Sequence, residues 1–350
     1  MIKDAIMSGL VSVSDYLSAH VLACLVPAFF IAGAIAVFIS KDSVIRYLSS
    51  KTRKIVSYSI ASVSGTVLAV CSCTILPLFA GIYKRGAGIG PATTFLYSGP
   101  AINILAIIYT ANILGFNLGA ARAVMAVSTS IIIGLVMASL FKDFDLKNRT
   151  NVQVEMSEER NQPQRVLLLL FVLMVLILVI GTSSLSLTTR LGIITLLILG
   201  VMILLKYYFS REEIREWGSE TWDLTKKIFP ILIVGTFFVG VIAYYLPPET
   251  FRAFLGGNSL TSCFTASIIG ALLYMPTLLE VPIVSTTFGY SAGIIGSGPA
   301  LSLLLAGPVV SLPSMLVLRG IMGTTRTATF ILLVVLISTF SGFAYGKVVG

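Results

Sequence analysis

Two short stretches of this sequence hold side chains able to do chemistry in an apolar setting: Cys71-Ser72-Cys73-Thr74-Ile75-Leu76-Pro77, and Glu280 within YMPTLLEVPIVSTTFG. On a regular helix the side chains of Cys71 and Cys73 diverge by about 200° and cannot share a ligand. In an extended stretch they face the same way. Pro77 removes the amide that would bond the Cys73 carbonyl, which predicts a helix break at this point. Broken there, the chain offers two soft sulfurs to a soft metal, a trivalent metalloid or a thiol-reactive substrate. Unbroken, the two cysteines are small hydrophobes in helix packing. A disulfide between i and i+2 would be strained. Cys24 and Cys263 lie alone in apolar blocks and read as packing residues.

Glu280 is the only acidic residue after Glu249 and the only one inside an apolar block. A carboxylate in lipid is costly unless it is paired, hydrated or protonated, so it reads as a proton carrier or as the counter-charge of a cationic substrate. The alternative is a hydrated position near a membrane surface. Pro276 and Pro282 bracket it and predict an unwound segment. Aligning Pro282 with Pro77 sets Glu280 opposite Ile75, beside the two cysteines. Asn103 and Ser311, each three residues after a Gly-Pro pair, would bond freed carbonyls or a substrate, or join helices as Asn does in membranes. Thr74, Ser98 and neighbouring Thr93, Thr94 and Tyr97 are candidates to line the same site. His20, the only histidine, reads as interfacial.

The elements that must position these groups are apolar and helical. Hydrophobic residues make up 56% of the 350, charged residues 11%, and mean hydropathy is +0.97. This is the composition of a polytopic membrane protein, not a soluble domain. The net charge of +9 comes from Lys and Arg gathered in connecting loops and is no nucleic-acid footprint. Apolar blocks run over residues 21–39, 55–83, 92–114, 123–141, 166–181, 191–205, 228–246, 260–292, 300–318 and 328–345. The first is long enough to span and stay, so a cleaved leader is not expected. Loops 41–54, 142–165 and 206–227 carry five Lys/Arg each and are expected inside the cell; 182–190 and 247–258 carry one each and are expected outside.

Block 55–83 starts after an inside loop and ends at Lys84 and Arg85, so it must leave and return on one side. It is short for two full spans and predicts a re-entrant hairpin or two short broken helices. Block 260–292 would do the same from the outside. An internal similarity runs along with this inversion. GPATTFLYSGP at 90–100 recurs loosely as GPALSLLLAGP at 298–308. The shared residues are Gly90 with Gly298, Pro91 with Pro299, Ala92 with Ala300, Leu96 with Leu304, Gly99 with Gly307 and Pro100 with Pro308. Gly and Pro pairs act as structural hinges and free backbone groups, which lipid tolerates only where the chain is buried or lines a cavity. A duplicated interrupted segment points to a transporter's binding site. Each copy read alone is also compatible with a simple helix kink.

The expected fold is therefore an all-α membrane bundle of about 8 to 10 spans with two inverted-topology repeats, each containing a re-entrant or broken-helix hairpin. Residues 1–141 form the first repeat, 142–165 a cytoplasmic linker, 166–227 a two-helix connector with a surface amphipathic segment around Trp217 and Trp222, and 228–350 the second repeat. The segment VCSCTILPLFAGIYKRGAGIGPATTFLYSGPAINILAI resembles the signature of the predicted permease family that includes the ArsP-type organoarsenical efflux permeases. The likeness returns at 275–323. It implies a permease, and carried over to the arsenical exporters it makes Cys71 and Cys73 ligands of trivalent arsenic. The leading expectation is a secondary-transport exporter of a small thiol-reactive or metalloid solute in a prokaryotic cytoplasmic membrane. It needs no cofactor, has no ATP-binding loop, performs no enzymatic reaction and is coupled to an ion gradient, for which a proton is the candidate. No nucleic-acid partner is expected. Two alternatives are a membrane thiol redox enzyme using Cys71 and Cys73, and a receptor or scaffold without transport.

Overall fold

The computed structural model describes residues 2–18, 25–38, 48, 53–68, 72–142, 164–181, 186–245, 254–273, 275, 277 and 279–349. Among them are fourteen helices of ten or more residues: α1 (Ile2–Tyr16), α2 (Val26–Phe38), α3 (Lys54–Leu68), α4 (Ser72–Lys84), α5 (Ile89–Ala101), α6 (Ile104–Ile113), α7 (Phe116–Leu140), α8 (Gln164–Gly181), α9 (Leu187–Tyr208), α10 (Arg211–Tyr245), α11 (Leu260–Leu272), α12 (Ser297–Ala306), α13 (Leu312–Met322) and α14 (Thr324–Val349). Between α11 and α12 a single turn, Glu280–Pro282, runs into a π turn, Ile283–Thr287. Four of the described helices are long and apolar enough to cross a membrane: Phe116–Leu140, Thr188–Tyr208, Arg211–Ile242 and Thr324–Val349. The α5–α6 pair, bent by 42° at its break, adds a fifth if it counts as one span. The other apolar helices that the structure describes are of 10–17 residues.

Gly and Pro set these lengths. Gly88 caps α5, Pro91 lies in its first turn and Pro100 in its last, after which Asn103 starts α6. In the second half Gly296 caps α12, Pro299 lies in its first turn, Gly307 ends it, and Pro313 lies in the first turn of α13. Pro91 and Pro299 therefore do not act as hinges inside their helices, as their Gly-Pro pairs suggested. Each stands where the amide it lacks would have had no partner within the helix, so each starts a helix rather than bending one. All thirteen residues of α5 are buried, as are Gly298–Ala306 of α12, so these two short helices form the centre of the protein. The long helices pack around them. α5 lies between α3 and α7, and α12 between α11 and α14, while α7 also meets α14.

Several contacts recur 208 residues further along the chain. Thr94 Oγ1 donates to the Ser130 carbonyl at 3.2 Å, and Ser302 Oγ to the Ser338 carbonyl at 3.1 Å. A Cβ on Gly90 would stand 2.8 Å from the Gly134 carbonyl, and one on Gly298 would stand 2.8 Å from the Gly342 carbonyl. Gly115 and Gly323, with φ of 103° and 85°, turn the chain into α7 and α14; only glycine adopts that conformation without strain.

Three further expectations change. Pro77 does not break its helix: α4 runs unbroken from Ser72 through Pro77 to Lys84, and only the Cys73 carbonyl loses its amide partner. Proline is tolerated inside a membrane helix because neighbouring helices hold it in place. The described residues of block 55–83 lie in α3 and α4, and residues 69–71, where the expected hairpin would turn, lie outside the described residues. The surface segment expected at 206–227 is not a separate element. Its first residues end α9, and the rest is the start of α10, which continues through Pro230. The boundary expected at 228 thus falls inside one helix. Trp217 is buried there, its indole N–H donating to the Phe30 carbonyl at 2.9 Å, and its ring packs on Phe30 and Phe38; Trp222 is exposed. The linker expected at 142–165 lies almost wholly outside the described residues, as do His20, Cys24, Cys71 and Pro276.

Candidate functional site

Glu280 is fully buried and ion-paired, not hydrated at a surface. Its carboxylate meets Arg122 of α7, and both side chains are closed off from solvent. Arg122 reaches it because α6 and α7 form a tight hairpin after Gly115. At Gly119 a Cβ would stand 2.6 Å from the Ala111 side chain, so glycine there lets the two helices close. Thr110 then faces α7, its hydroxyl donating to the Ala106 carbonyl at 2.7 Å and accepting from Arg122 Nη1 at 2.9 Å. The turn that starts at Glu280 packs against α6 from the other side. Among the described residues, Arg122 Nε and Glu280 Oε2 find no hydrogen-bonding partner. A buried pair with unfilled hydrogen-bonding capacity is poor evidence of a role in stability and better evidence of a role in function.

Tyr97 of α5 completes the cluster. It is fully buried, its hydroxyl donates to the Leu305 carbonyl of α12 at 3.2 Å, and Thr129, Ser338 and the charges of Arg122 and Glu280 lie around it. Tyr97 and Leu305 are themselves 208 residues apart. The π turn after Glu280 carries backbone bonds from Phe288 N to the Ile283 carbonyl, 2.9 Å, and from Tyr290 N to the Val284 carbonyl, 3.1 Å. Such wide turns recur at functional sites.

The other expected residues take up structural work around this centre. Asn103 is the N-cap of α6, its Oδ1 accepting from the amides of Leu105 at 3.0 Å and Ala106 at 3.3 Å. Ser311 starts α13, its amide donating to Ser314 Oγ at 2.8 Å and its hydroxyl to the same atom at 3.3 Å. Ser98 donates to the Ala61 carbonyl at 3.3 Å, joining α5 to α3. Thr74 is buried. Ser72 and Cys73 open α4, but their side chains, with Cys71, are outside the described residues. Cys263 is buried in α11, 3.0 Å from where a Cβ on Gly298 would lie, as a packing residue should be. Pro91 and Pro299 are buried at the starts of α5 and α12. Gly99 and Pro308 help end the same two helices, and Pro282 closes the turn at Glu280.

Arg122 does not stand out in the sequence because it directly precedes the apolar block that starts at Ala123. A signal existed: Arg122 lies on the helical stripe Gly119, Arg122, Ala126, Thr129, Ser130, Ile133, whose members are all buried. An apolar cavity of about 370 Å³ lies elsewhere, between α2, α8, α9 and α10, lined by Val26, Phe30, Met174, Ile198 and Trp217 among others.

The sequence matches a family described as predicted permease (ArsP_1) over residues 6–347. It is 43% identical over 346 residues to the UPF0718 protein MJ0584 of Methanocaldococcus jannaschii, covering 96% of this chain and 94% of that protein. It is 24% identical over 286 residues to the UPF0718 protein YraQ of Escherichia coli, covering 81% and 66% of the two chains. A shorter match of 118 residues, at 23% identity, reaches the UPF0718 protein YcgR of Bacillus subtilis, over 33% of this chain and 40% of that one. No solved structure matches.

Proposed function

The chain belongs to the predicted permease family, and from that premise we propose that it is a secondary-transport exporter working by alternating access between two inverted repeats, with the buried cluster at Tyr97, Arg122 and Glu280 at its centre. The observation that carries this reading is the contact register. Hydrogen bonds, close glycine pairs and left-handed glycines all recur at one spacing of 208 residues from Gly90 to Gly342. Where the two halves meet, Tyr97 bonds its own counterpart, Leu305, as groups beside a two-fold axis do. Interrupted helices at such an interface are where transporters bind substrate and coupling ions. In this reading the short helices combine into about 8 to 10 spans. The first repeat covers 1–141 and the second begins within α10, joined by a linker and the α8–α9 connector.

The substrate of this reading is a small thiol-reactive or metalloid solute, for which a trivalent organoarsenical is the test case, and the coupling ion is a proton. At the same register Ser72, between Cys71 and Cys73, stands 208 positions before Glu280, so in this reading the cysteines hold in the first half the place that Glu280 holds in the second. The membrane is the cytoplasmic membrane of a prokaryote, and the protein is a transporter and not an enzyme. The redox alternative gains no support from the family. Uptake of methylarsenite into everted vesicles, with and without a proton gradient, tests the reading. Gradient-dependent uptake that Cys73→Ser abolishes at unchanged membrane expression is the expected result, and no uptake in either protein overturns the substrate class.

A further inference from the structure

Glu280 and Arg122 belong to parts of the chain that are far apart in sequence, and between them they close the centre of the protein. Arg122 stands on a long helix, α7, and is held by Thr110 of α6. Glu280 instead heads an irregular segment: one α turn, the π turn Ile283–Thr287, then turns up to Gly296. The carboxylate is thus a buried polar tie between an irregular segment and the α6–α7 hairpin.

The two groups respond unequally to protons. A carboxyl gains a proton and loses its charge, whereas a guanidinium keeps its charge at any pH a cell meets. Protonating Glu280 therefore leaves Arg122 as an uncompensated cation with no access to water. Burial of a lone charge is strongly unfavourable, so in this closed arrangement the proton is rejected. It is accepted only in an arrangement that hydrates the guanidinium. Proton binding and opening of the segment are then one linked equilibrium, each favouring the other.

We infer that Glu280 and Arg122 form a proton-released latch, in which a proton taken up by Glu280 frees the Glu280–Thr287 segment from α6 and α7 and opens the centre to water. This rests on the proposed transport function only for its place in a cycle, because the latch itself needs no substrate. The closed state has the unprotonated carboxylate, so closure strengthens as pH rises and is lost as pH falls. Among the described residues, the other titratable groups on the elements packed with Glu280 are Tyr97 of α5, Tyr109 of α6 and Tyr290 of its own segment, and α12 brings none. Phenols carry no charge between pH 5 and 8, which leaves Glu280 and its partner Arg122 as the responding pair.

The test is hydrogen–deuterium exchange of the purified full chain in nanodiscs at pH 5 to 8, corrected for the intrinsic pH dependence of exchange. The reporters are the amides of Phe288, Tyr290 and Ser291, which bond the carbonyls of Ile283, Val284 and Ser285. One linked proton changes the open-to-closed ratio by up to about tenfold per pH unit, and protection is expected to fall by at least about tenfold from pH 8 to pH 5. Glu280→Gln, which cannot be charged, is expected to exchange fast at every pH. Arg122→Gln combined with Glu280→Gln removes the lone charge and is expected to return slow exchange without a pH slope. A native protein with flat protection overturns the latch, even if neither variant folds, and so does a double variant that keeps the native slope. A clear slope without methylarsenite uptake would remove the substrate reading and leave the latch standing. Gradient-driven uptake with a flat exchange profile would do the reverse.

Discussion

Removing either member of the Arg122–Glu280 pair should destabilise the protein by about 3–5 kcal/mol, since one charge is then left buried without a partner. The two single changes should differ in their pH dependence. In Arg122→Gln the orphaned carboxylate can escape by taking a proton. For a carboxyl of ordinary acidity that costs about 4 kcal/mol at pH 7 but about 1 kcal/mol at pH 5, so the defect should shrink as the medium is acidified. In Glu280→Gln the guanidinium has no such escape, and acidification should bring this variant no recovery. The double change leaves no charge, and it should cost less than either single change would suggest, with a coupling of about 3 kcal/mol. Reversible unfolding in mixed micelles measures all four corners of the cycle. Trp217, buried against Phe30 and Phe38, is a built-in reporter, and Trp222→Phe would remove the exposed second tryptophan. Single changes costing under about 1 kcal/mol, the usual worth of an exposed pair, or changes that simply add, would show that the pair is hydrated and refute the reasoning.

Three further outcomes are expected. Gly134→Ala and Gly342→Ala put a methyl 2.8 and 2.5 Å from the Gly90 and Gly298 carbonyls and should each cost about 1–3 kcal/mol. Gly218→Ala, in α10 with open space around it, should add about 0.5–1 kcal/mol; thermal melts in one detergent rank the three, and a lowest melting point for Gly218→Ala would contradict the packing. Asn103→Ala should lose about 1 kcal/mol and loosen the first turn of α6, with Asn103→Asp keeping most of the cap; exchange of the Leu105 and Ala106 amides reads this directly. In a background without the four native cysteines, Lys84→Cys and Arg319→Cys should label from the cytoplasm and Ser259→Cys from outside, and labelling of all three from one side would end the inverted arrangement.

Much of this was legible from residue types because membrane helices are governed by strong, local rules. The Gly-Pro pairs at 90–100 and 298–308 mark the ends of α5 and α12, since proline and glycine limit helices whatever surrounds them. Which end each pair marks was less plain: Pro91 and Pro299 stand at starts, Pro100 and Pro308 at finishes. Glu280 stands out as an acid in an apolar block because lipid penalises charge heavily. Its partner was not legible in the same way. Arg122 sits between Ala121 and Ala123, where an apolar block begins, and a basic residue at a block edge ordinarily reads as a loop charge. Only the depth of α7, set by where Gly115 turns the chain, makes Arg122 a buried residue. Pro77 failed as a helix breaker for the related reason that its effect depends on position. Inside α4 it removes one bond, the one to the Cys73 carbonyl, and the packed neighbours hold the helix together.

Under the proposed repeat the two halves are unequal at the positions that matter. Tyr97, Thr110, Arg122 and Thr129 correspond at the 208-residue spacing to Leu305, Leu318, Phe330 and Ile337. Leu305, Leu318 and Phe330 are fully buried. At these four positions one half therefore brings polar groups and the other apolar side chains, and among the described residues Glu280 is the charged group that the second half adds to the cluster. Apolar packing is non-directional, so contacts such as those around Phe330 change little in energy when helices slide by a small distance. An ion pair inside the protein has no such tolerance, because its attraction and its desolvation both depend on a fixed geometry. A movement of one half against the other must then act first on Arg122 and Glu280. The inequality of the halves concentrates in that one pair the dependence of the motion on charge, which is why neutralising both members should restore closure while neutralising Glu280 alone should not.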